Sequence, residues 1–546
     1  MGAANLRPNT HGGRRAEMTE LIAALFWLLA LVGTAAAQTL PNGIELPQSW
    51  PPDYAPNYDG LRTPPYLTNP PDVIPINTGR QLFVDDLLVQ ETTLSRTHHL
   101  ARYSTANPLL KLDKPWEREG GQPTAMPFSD GVWWDPADRL FKAWYMGGYV
   151  KYTCLATSHD GLHWDKPELD VVPGTNIVHQ RFRDPATVWL DLETTDPSRR
   201  YVLNIFPYPE GAGALETYFS PDGIHWGPCA VRTGPTGDRS TIFWNPFLRT
   251  WVYGIRWDEP GLGRTRSYRE SPDLITGTDW AAGEPVHWIG ADPLDPPRSD
   301  YATPCQLYNL DCVAYESLLL GLFSIWRGQA EDRAKPNEIC VGYSRDGFHW
   351  TRPDRRAFIP VSERSGDWNW GNVQSAGGCC LVVGSELWFY VSGRSGRAGT
   401  RESGVSAMGL ARLRRDGFVS VDAGSETGTL TTRRLRFSGK HLFVNLDAPK
   451  GELAVEVLDA GGRPIAPFTA ANCAPVSGNA TLLPVQWRNA TDLSTLSGRD
   501  VRLRFHLRQG QLYSFWVSPD ESGASYGYVA AGGPGFTGPT DTVGRR

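Results

Sequence analysis

A chain of 546 residues exceeds what one ordinary hydrophobic core holds, so two or more domains are expected. Its formal charge of −6, with 53 Lys and Arg interspersed among 59 Asp and Glu, leaves no basic footprint and argues against nucleic acid as a partner. The 21 Trp, 20 Tyr, 57 Gly and 44 Pro combine strand-favouring aromatics with turn residues and point to an all-β protein of many short strands.

At the N-terminus, Arg7, Arg14 and Arg15 precede the apolar run Leu21 to Val32, and Ala35, Ala36 and Ala37 follow. That order reads as a secretory signal peptide over residues 1–37, cleaved after Ala37, and predicts a secreted or periplasmic protein with no stable membrane span after cleavage. A start at Met18 would remove most of the positive region, and an uncleaved anchor is the alternative, although the run is short for a span. Residues 38–78 are rich in Pro, Asn and Tyr without apolar periodicity and read as a linker, or an arm lying on the surface. Order is expected from the short strand Gln81 to Val84.

Residues 79–427 carry an internal repeat. Its copies are Ser158-His-Asp-Gly-Leu-His-Trp164, Ser220-Pro-Asp-Gly-Ile-His-Trp226 and Ser344-Arg-Asp-Gly-Phe-His-Trp350, with diverged copies at Ser271-Pro-Asp273 and Asp416-Gly-Phe418. The spacing of roughly 50 to 75 residues suits one four-stranded antiparallel sheet plus loops. Asp-Gly is expected in a type I′ turn, and the Trp on the neighbouring sheet. Strand candidates Leu140 to Tyr145, Tyr201 to Phe206, Trp251 to Arg256, Leu319 to Ile325 and Leu387 to Val391 make five units, hence a five-bladed β-propeller. The last turn lacks its closing strand, and Gln81 to Val84 is free to supply it.

From 428 to 519 the repeat stops. Alternating strands Leu435 to Phe437, Leu442 to Asn445, Leu453 to Leu458, Leu482 to Trp487, Val501 to Leu507 and Leu512 to Val517 read as a C-terminal β-sandwich. The Gly-rich tail 520–546 is expected to be disordered. No C-x-x-C pair occurs among the eight Cys, so a Cys-type zinc site is not expected. Cys305 and Cys312 either form a local bridge or are buried thiols like the others.

The segments Leu82-Phe-Val-Asp-Asp86, Asn107-Pro-Leu-Leu110, Pro115-Trp-Glu117, Arg415-Asp-Gly-Phe-Val419 and Val501-Arg-Leu-Arg-Phe505 resemble bacterial glycosidase-like proteins related to glycoside hydrolase families 32 and 43. Arg183-Asp-Pro185 is similar to the Arg-Asp-Pro motif of the invertase-like enzymes, which implies a transition-state-stabilising role for Asp184. The Asn-Asp-Pro-Asn-Gly nucleophile motif and the Glu-Cys acid motif of those enzymes are absent.

Propeller ligands lie at the channel mouth, where inner strands begin. Trp116 to Gly121, Arg183-Asp184, Asp238-Arg-Ser240, Ser299-Asp-Tyr301 and Trp370-Gly-Asn372 are the expected starts of blades one to five. Glycoside cleavage needs one carboxyl group to protonate the leaving oxygen and a second to attack or activate water. Glu117, Asp184 and Asp238 are the candidate catalytic set. Trp116, Tyr301 and Trp370 are candidates to stack on sugar rings, and Arg183, Arg239 and Asn372 to bind their substituents. Each carboxylate is weighed against ordinary turn capping or ion pairing. Asp85-Asp86 reads as a turn, and Glu316 is expected at the opposite rim.

Asp160, Asp222 and Asp346 stabilise turns, and His163, His225 and His349 fall in different blades, which disfavours a shared metal. No cofactor is expected; a channel Ca²⁺ stays open, with no ligand loop to announce it. An oligo- or polysaccharide is the expected partner. A hydrolase, a non-catalytic glycan-binding propeller and a glycoside phosphorylase, which would need a cationic phosphate pocket, are the three readings.

Overall fold

In the computed structural model residues 1–2, 38–56, 62–301, 303–329 and 331–544 are described. The charged and apolar parts of the expected signal segment lie outside them. The protein is a five-bladed β-propeller followed by a C-terminal β-sandwich. Blade one comprises Ala125–Asp135, Leu140–Gly147, Tyr152–Ser158 and Ile177–His179, numbered from the channel outward. Blade two comprises Arg183–Leu190, Tyr201–Pro207, Ala214–Ser220 and Val231–Pro235. Blade three follows with Thr241–Asn245, Thr250–Glu259, Gly263–Ser271 and Val286–Gly290. Blade four has Gln306–Glu316, Leu318–Trp326 and Asn337–Ser344, and blade five has Asn372–Ser375, Leu381–Val383, Glu386–Arg394 and Ser406–Arg414.

The repeat turns follow the third strand of a blade, at the face opposite the inner-strand starts. They are not type I′ turns, because among Asp160-Gly161, Asp222-Gly223 and Asp346-Gly347 only the glycines have positive φ, between 73° and 90°. Instead Asp160 Oδ1 accepts from the amides of Leu162 and His163, both at 2.8 Å, and Asp222 and Asp346 cap the corresponding amides in blades two and four. Aromatics from the preceding blade then seal each turn. Tyr390 donates to the Gly161 carbonyl at 2.7 Å, Trp144 to that of Gly223 at 2.8 Å and Trp288 to that of Phe348 at 2.8 Å. Trp164 meets Tyr390 edge-on, so the repeat Trp does reach the neighbouring sheet.

The ring closes through an N-terminal strand, but through Arg102–Tyr103, which pairs with Ala411 and Arg412. The expected closing segment pairs elsewhere: Gln81 and Leu82 lie against Phe515 and Ser514 in the sandwich. The reason is Phe83, fully buried between Phe505 and Phe515. Val89–Thr92 and Ser95–His98 also extend the sandwich sheet, so the segment before about residue 100 packs there rather than in the propeller. His441–Leu458, expected as two strands, is one long strand. Its first half pairs with Val476–Val485 and Gly510–Ser518, its second with Arg502–Arg508, so it spans both layers. The 38–78 arm is anchored by the buried Leu40, Ile44, Leu46, Ile74 and Ile76.

The tail expected to be disordered is ordered through 544. Tyr528–Val529 pairs with Tyr315 and Glu316 of blade four. Ala531 then accepts from the Trp134 amide at 3.0 Å and donates to the Cys380 carbonyl at 3.0 Å, and Gly532 accepts from the Val382 amide at 2.8 Å. The tail therefore bridges blades one, four and five across the rear of the channel. Cys305 and Cys312 form no bridge; all eight cysteines are free, with Cys312 inside an inner strand. No helix among the described residues is long and apolar enough to cross a membrane.

Candidate functional site

The front mouth is formed by the inner-strand starts and by residues 148–151, 208–213, 260–262, 331–336 and 395–405 of the connecting loops. Backbone irregularities aim its side chains. In blade one, Met126 pairs with Met146 and Gly131 with Trp144, so three extra residues bulge from the inner strand and carry Phe128, Ser129 and Asp130. Ser129 takes φ 64° to do so. In blade two, Arg183 pairs with Pro207 but Ala186 with Ile205, and the single-residue bulge re-aims Asp184. Arg239, ahead of the blade-three inner strand, has φ 62°.

Below the mouth a buried polar network joins all five blades around the channel. Arg183 ion-pairs with Asp130, and its Nε donates to Thr153 at 3.1 Å. Arg239 donates to Ser129 Oγ at 3.1 Å and stacks 3.8 Å over the Phe128 ring. Asp311 Oδ2 receives Ser129, Ser375 and, at 2.7 Å, Asn309. Burial pushes the Asp130 carboxyl up to about 6 even though Arg183 draws it down, and burial also raises Asp311. Asp130 Oδ2, Asn309 Oδ1 and Gln374 Oε1 are buried acceptors without a donor among the described residues.

Above this network stand Asp184 and Asp238. Asp184 is half-buried; its carbonyl accepts from Arg183 Nη1 at 3.0 Å, but its carboxylate accepts no hydrogen bond from the described residues and titrates above its ordinary range. Burial is the main cause and the neighbouring Asp238 charge the second, opposed by Arg239, Arg394 and Arg183. Asp238 is ion-paired with Arg256 at 2.7 Å. Two carboxylates in unlike environments, one held toward its acid form and one salt-bridged, are the arrangement that acid–base chemistry needs.

Glu117 does not join them. It is fully buried beneath blade one, where Oε2 accepts from the Asp113 and Lys114 amides at 2.9 and 3.0 Å. Its Oε1 accepts from Tyr145 at 2.8 Å and Lys166 at 2.6 Å, so both oxygens are committed to closing a 3₁₀ turn. Arg183 and Arg239 face the site but are 0% and 1% exposed, which makes them struts for Asp130 and Ser129 rather than direct sugar contacts. Trp116 is half-buried and donates to Asn176 at 3.1 Å. Trp370 is buried, with the Arg333 guanidinium 4.8 Å over its ring. Asn372 is buried between Gln374 and the Lys335 carbonyl, and Tyr301 sits near Arg298 on the blade-four rim.

The exposed aromatic faces are others. Phe182, Tyr208 and Trp257 are 39%, 47% and 40% exposed, and all three lie at the front ends of blades two and three. Asp130 and Asp311 escape a reading of the sequence because they lie within otherwise apolar inner strands. The one signal for Asp130 is Ser129-Asp-Gly131, a turn-like triplet inside a strand. Among the described residues no group of three or more His, Cys, Asp or Glu suited to hold a metal occurs.

No protein-family model matches the chain, and no curated protein sequence is similar to it. Solved structures with a related strand arrangement include an N-acetylgalactosamine deacetylase from F. plautii at 14% identity and TM-score 0.38, covering 63% of this chain and 97% of that one. A member of glycoside hydrolase family 130, described for hydrolases of β-1,2 mannosidic linkages in Candida mannan, shares 14% identity at TM-score 0.39, covering 60% and 96%. An exo-β-1,3-galactanase from Phanerochaete chrysosporium shares 12% at 0.33, covering 74% and 99%. At such scores nothing about substrate or reaction carries over, and the propeller rests on this chain's own strand pairing.

Proposed function

We infer that the protein is an exported glycoside hydrolase that cleaves an oligo- or polysaccharide at the front mouth of the propeller. The observation that carries this reading is the pair Asp184 and Asp238 on adjacent blades, with Asp184 held toward its acid form and Asp238 salt-bridged to Arg256. Asp184 then protonates the leaving glycosidic oxygen, while Asp238 attacks the anomeric carbon or draws a proton from the attacking water. One water is consumed and the two glycan fragments leave. Tyr208 and Trp257 offer ring faces for sugars along the rim, beside Phe182, over whose ring the Lys151 ammonium lies at 4.0 Å. The tail across the rear channel favours approach from the front. Export rests on the sequence order of Arg7, Arg14, Arg15, Leu21 to Val32 and Ala35 to Ala37.

The exposed rim aromatics also suit a second reading, a glycan-binding propeller without turnover. A screen of the mature protein against polysaccharides and aryl glycosides separates the two. Release of reducing ends that falls by roughly 10²–10⁴-fold in Asp184→Asn supports hydrolysis with Asp184 as the acid. Binding without release by the wild type supports the binding module.

A further inference from the structure

Ten arginines are buried among the described residues: Arg80, Arg183, Arg239, Arg266, Arg327, Arg333, Arg345, Arg352, Arg394 and Arg415. Seven of them lie within salt-bridge distance of a carboxylate. The three that do not, Arg239, Arg266 and Arg394, all belong to the channel mouth. Arg239 and Arg266 bond only to neutral oxygens, of Phe128 and Ser129 and of Thr265 and Tyr308. Arg394 donates to Ser403 Oγ at 3.2 Å and rests over the Phe128 and Tyr149 rings. The Nε of each is buried without an acceptor. Burial first, then the neighbouring Arg239 and Arg256 charges, lower Arg266 to about 9.

Two further cations stand above them. Lys335 and Arg264 flank the Tyr308 ring at 5.0 and 5.2 Å. Both are half-buried and neither has a carboxylate partner among the described residues; Arg264 bonds only to Gln306. Farther out on the same loops Arg298, Arg333, Arg397 and Arg401 do find acidic partners. Among the buried arginines, those without a carboxylate within salt-bridge distance are thus all at the mouth. Removing charges from water without a counterion is costly, and a bound anion offsets that cost. Asp311 and Asp184 attract Arg239 without reaching it at salt-bridge distance, burial works against their charged forms, and Asp130 is committed to Arg183.

We propose that the mouth holds an anion subsite, formed by Arg394, Lys335 and Arg264 over the buried Arg239 and Arg266, which selects glycans bearing a carboxylate or sulfate substituent. This rests on the glycan reading of the same mouth but not on turnover. The anion lies beside Asp184 and favours its protonated form, which suits a general acid.

The test is calorimetric titration of the full-length Asp184→Asn protein with oligogalacturonate, a sulfated galactan oligosaccharide, neutral arabino- and galacto-oligosaccharides, and inorganic phosphate. At least one acidic oligosaccharide should bind tenfold or more tightly than any neutral one, with affinity falling as salt rises. Lys335→Ala combined with Arg264→Gln should weaken the acidic ligand at least tenfold and leave neutral ones unchanged. The proposal is overturned by equal or tighter binding of neutral glycans, by indifference to the double substitution, or by no binding of either acidic oligosaccharide. Phosphate that binds alone, with glycan charge irrelevant, also overturns it and makes the anion a co-substrate. Tight acidic binding with no cleavage by the wild type leaves the subsite standing and defeats hydrolysis; cleavage restricted to neutral glycans does the reverse.

Discussion

The molecule contains two clusters of acids and arginines, and they are built on opposite principles. At the junction of propeller, sandwich and tail, Arg80, Arg415, Glu316, Asp416 and Asp541 interlock. Arg80 bonds Asp416 at 3.0 Å, and Arg415 bonds Glu316 at 2.9 Å and Asp541 at 2.8 Å. Ser525 donates to Glu316 at 2.7 Å, and Ser514, Asn445 and Tyr315 donate to Asp416. Every carboxylate there is met by a cation and by hydroxyl or amide donors. At the mouth, the Asp184 carboxylate accepts no hydrogen bond from the described residues, three buried arginines have no carboxylate at salt-bridge distance, and several acceptors have no donor. Charges are paired at the junction, even though Arg80 Nε and Nη2 and Arg415 Nε lack a hydrogen-bond acceptor; paired charges hold domains together, whereas charges left unpaired are prepared to meet a ligand.

The sharpest way to break this contrast is to remove one charge from each side. Glu316→Ala leaves Arg80 and Arg415 short of a buried partner and should cost about 3–5 kcal/mol in denaturant unfolding. The fraction that stays folded should keep its turnover. Asp184→Asn should do the opposite, lowering turnover by roughly 10²–10⁴-fold with little change in unfolding midpoint. A mouth substitution that unfolds the protein, or a junction substitution that spares stability, would erase the distinction.

Acid titration refines it. Against the burial that would raise it, Arg80 and Arg415 hold Asp416 below its usual range, so its contribution is present above the unfolded value and lost as pH falls. Asp130 has the opposite sign: burial raises it to about 6, so its contribution is full below about 4 and is lost as pH rises through about 6. Asp130→Asn should therefore flatten the decline in stability between those values, a change on the order of 3 kcal/mol. Equal slopes for wild type and variant over that window would contradict the assignment. The smallest effect belongs to the repeat histidines. His163 is exposed and its ion pair with Asp160 closes only its own turn, so His163→Ala should leave both melting and turnover unchanged.

The propeller was legible because an Asp caps the same two amides after the third strand of blades one to four, which repeats its residues and spacing, whereas Asp416 in blade five is drawn into the junction instead. Phe83 shows where pattern alone stops: Gln81 to Val84 reads as a strand for either sheet, and only the aromatic pocket of Phe505 and Phe515 decides. The tail misleads for a related reason. Its glycines suggest disorder, yet buried Asp541 and Ala531 pin it through partners hundreds of residues away. At the site, Asp184 and Asp238 are recognisable by their place before inner strands. Asp130 and Arg394 are not, since their importance comes from a bulge and a convergence of blades that no local sequence expresses.

The central claim is that Asp184 is the proton donor of a carboxylate pair. It is tested most directly by the pH profile of reducing-end release by the wild type beside Asp184→Asn, on the glycan that the wild type cleaves fastest. The account predicts that wild-type activity declines on the alkaline side as a carboxyl above the ordinary aspartate range ionises. In the variant that limb disappears and the rate falls by roughly two to four orders of magnitude. An Asp184→Asn protein with the wild-type rate and the wild-type alkaline limb would contradict it.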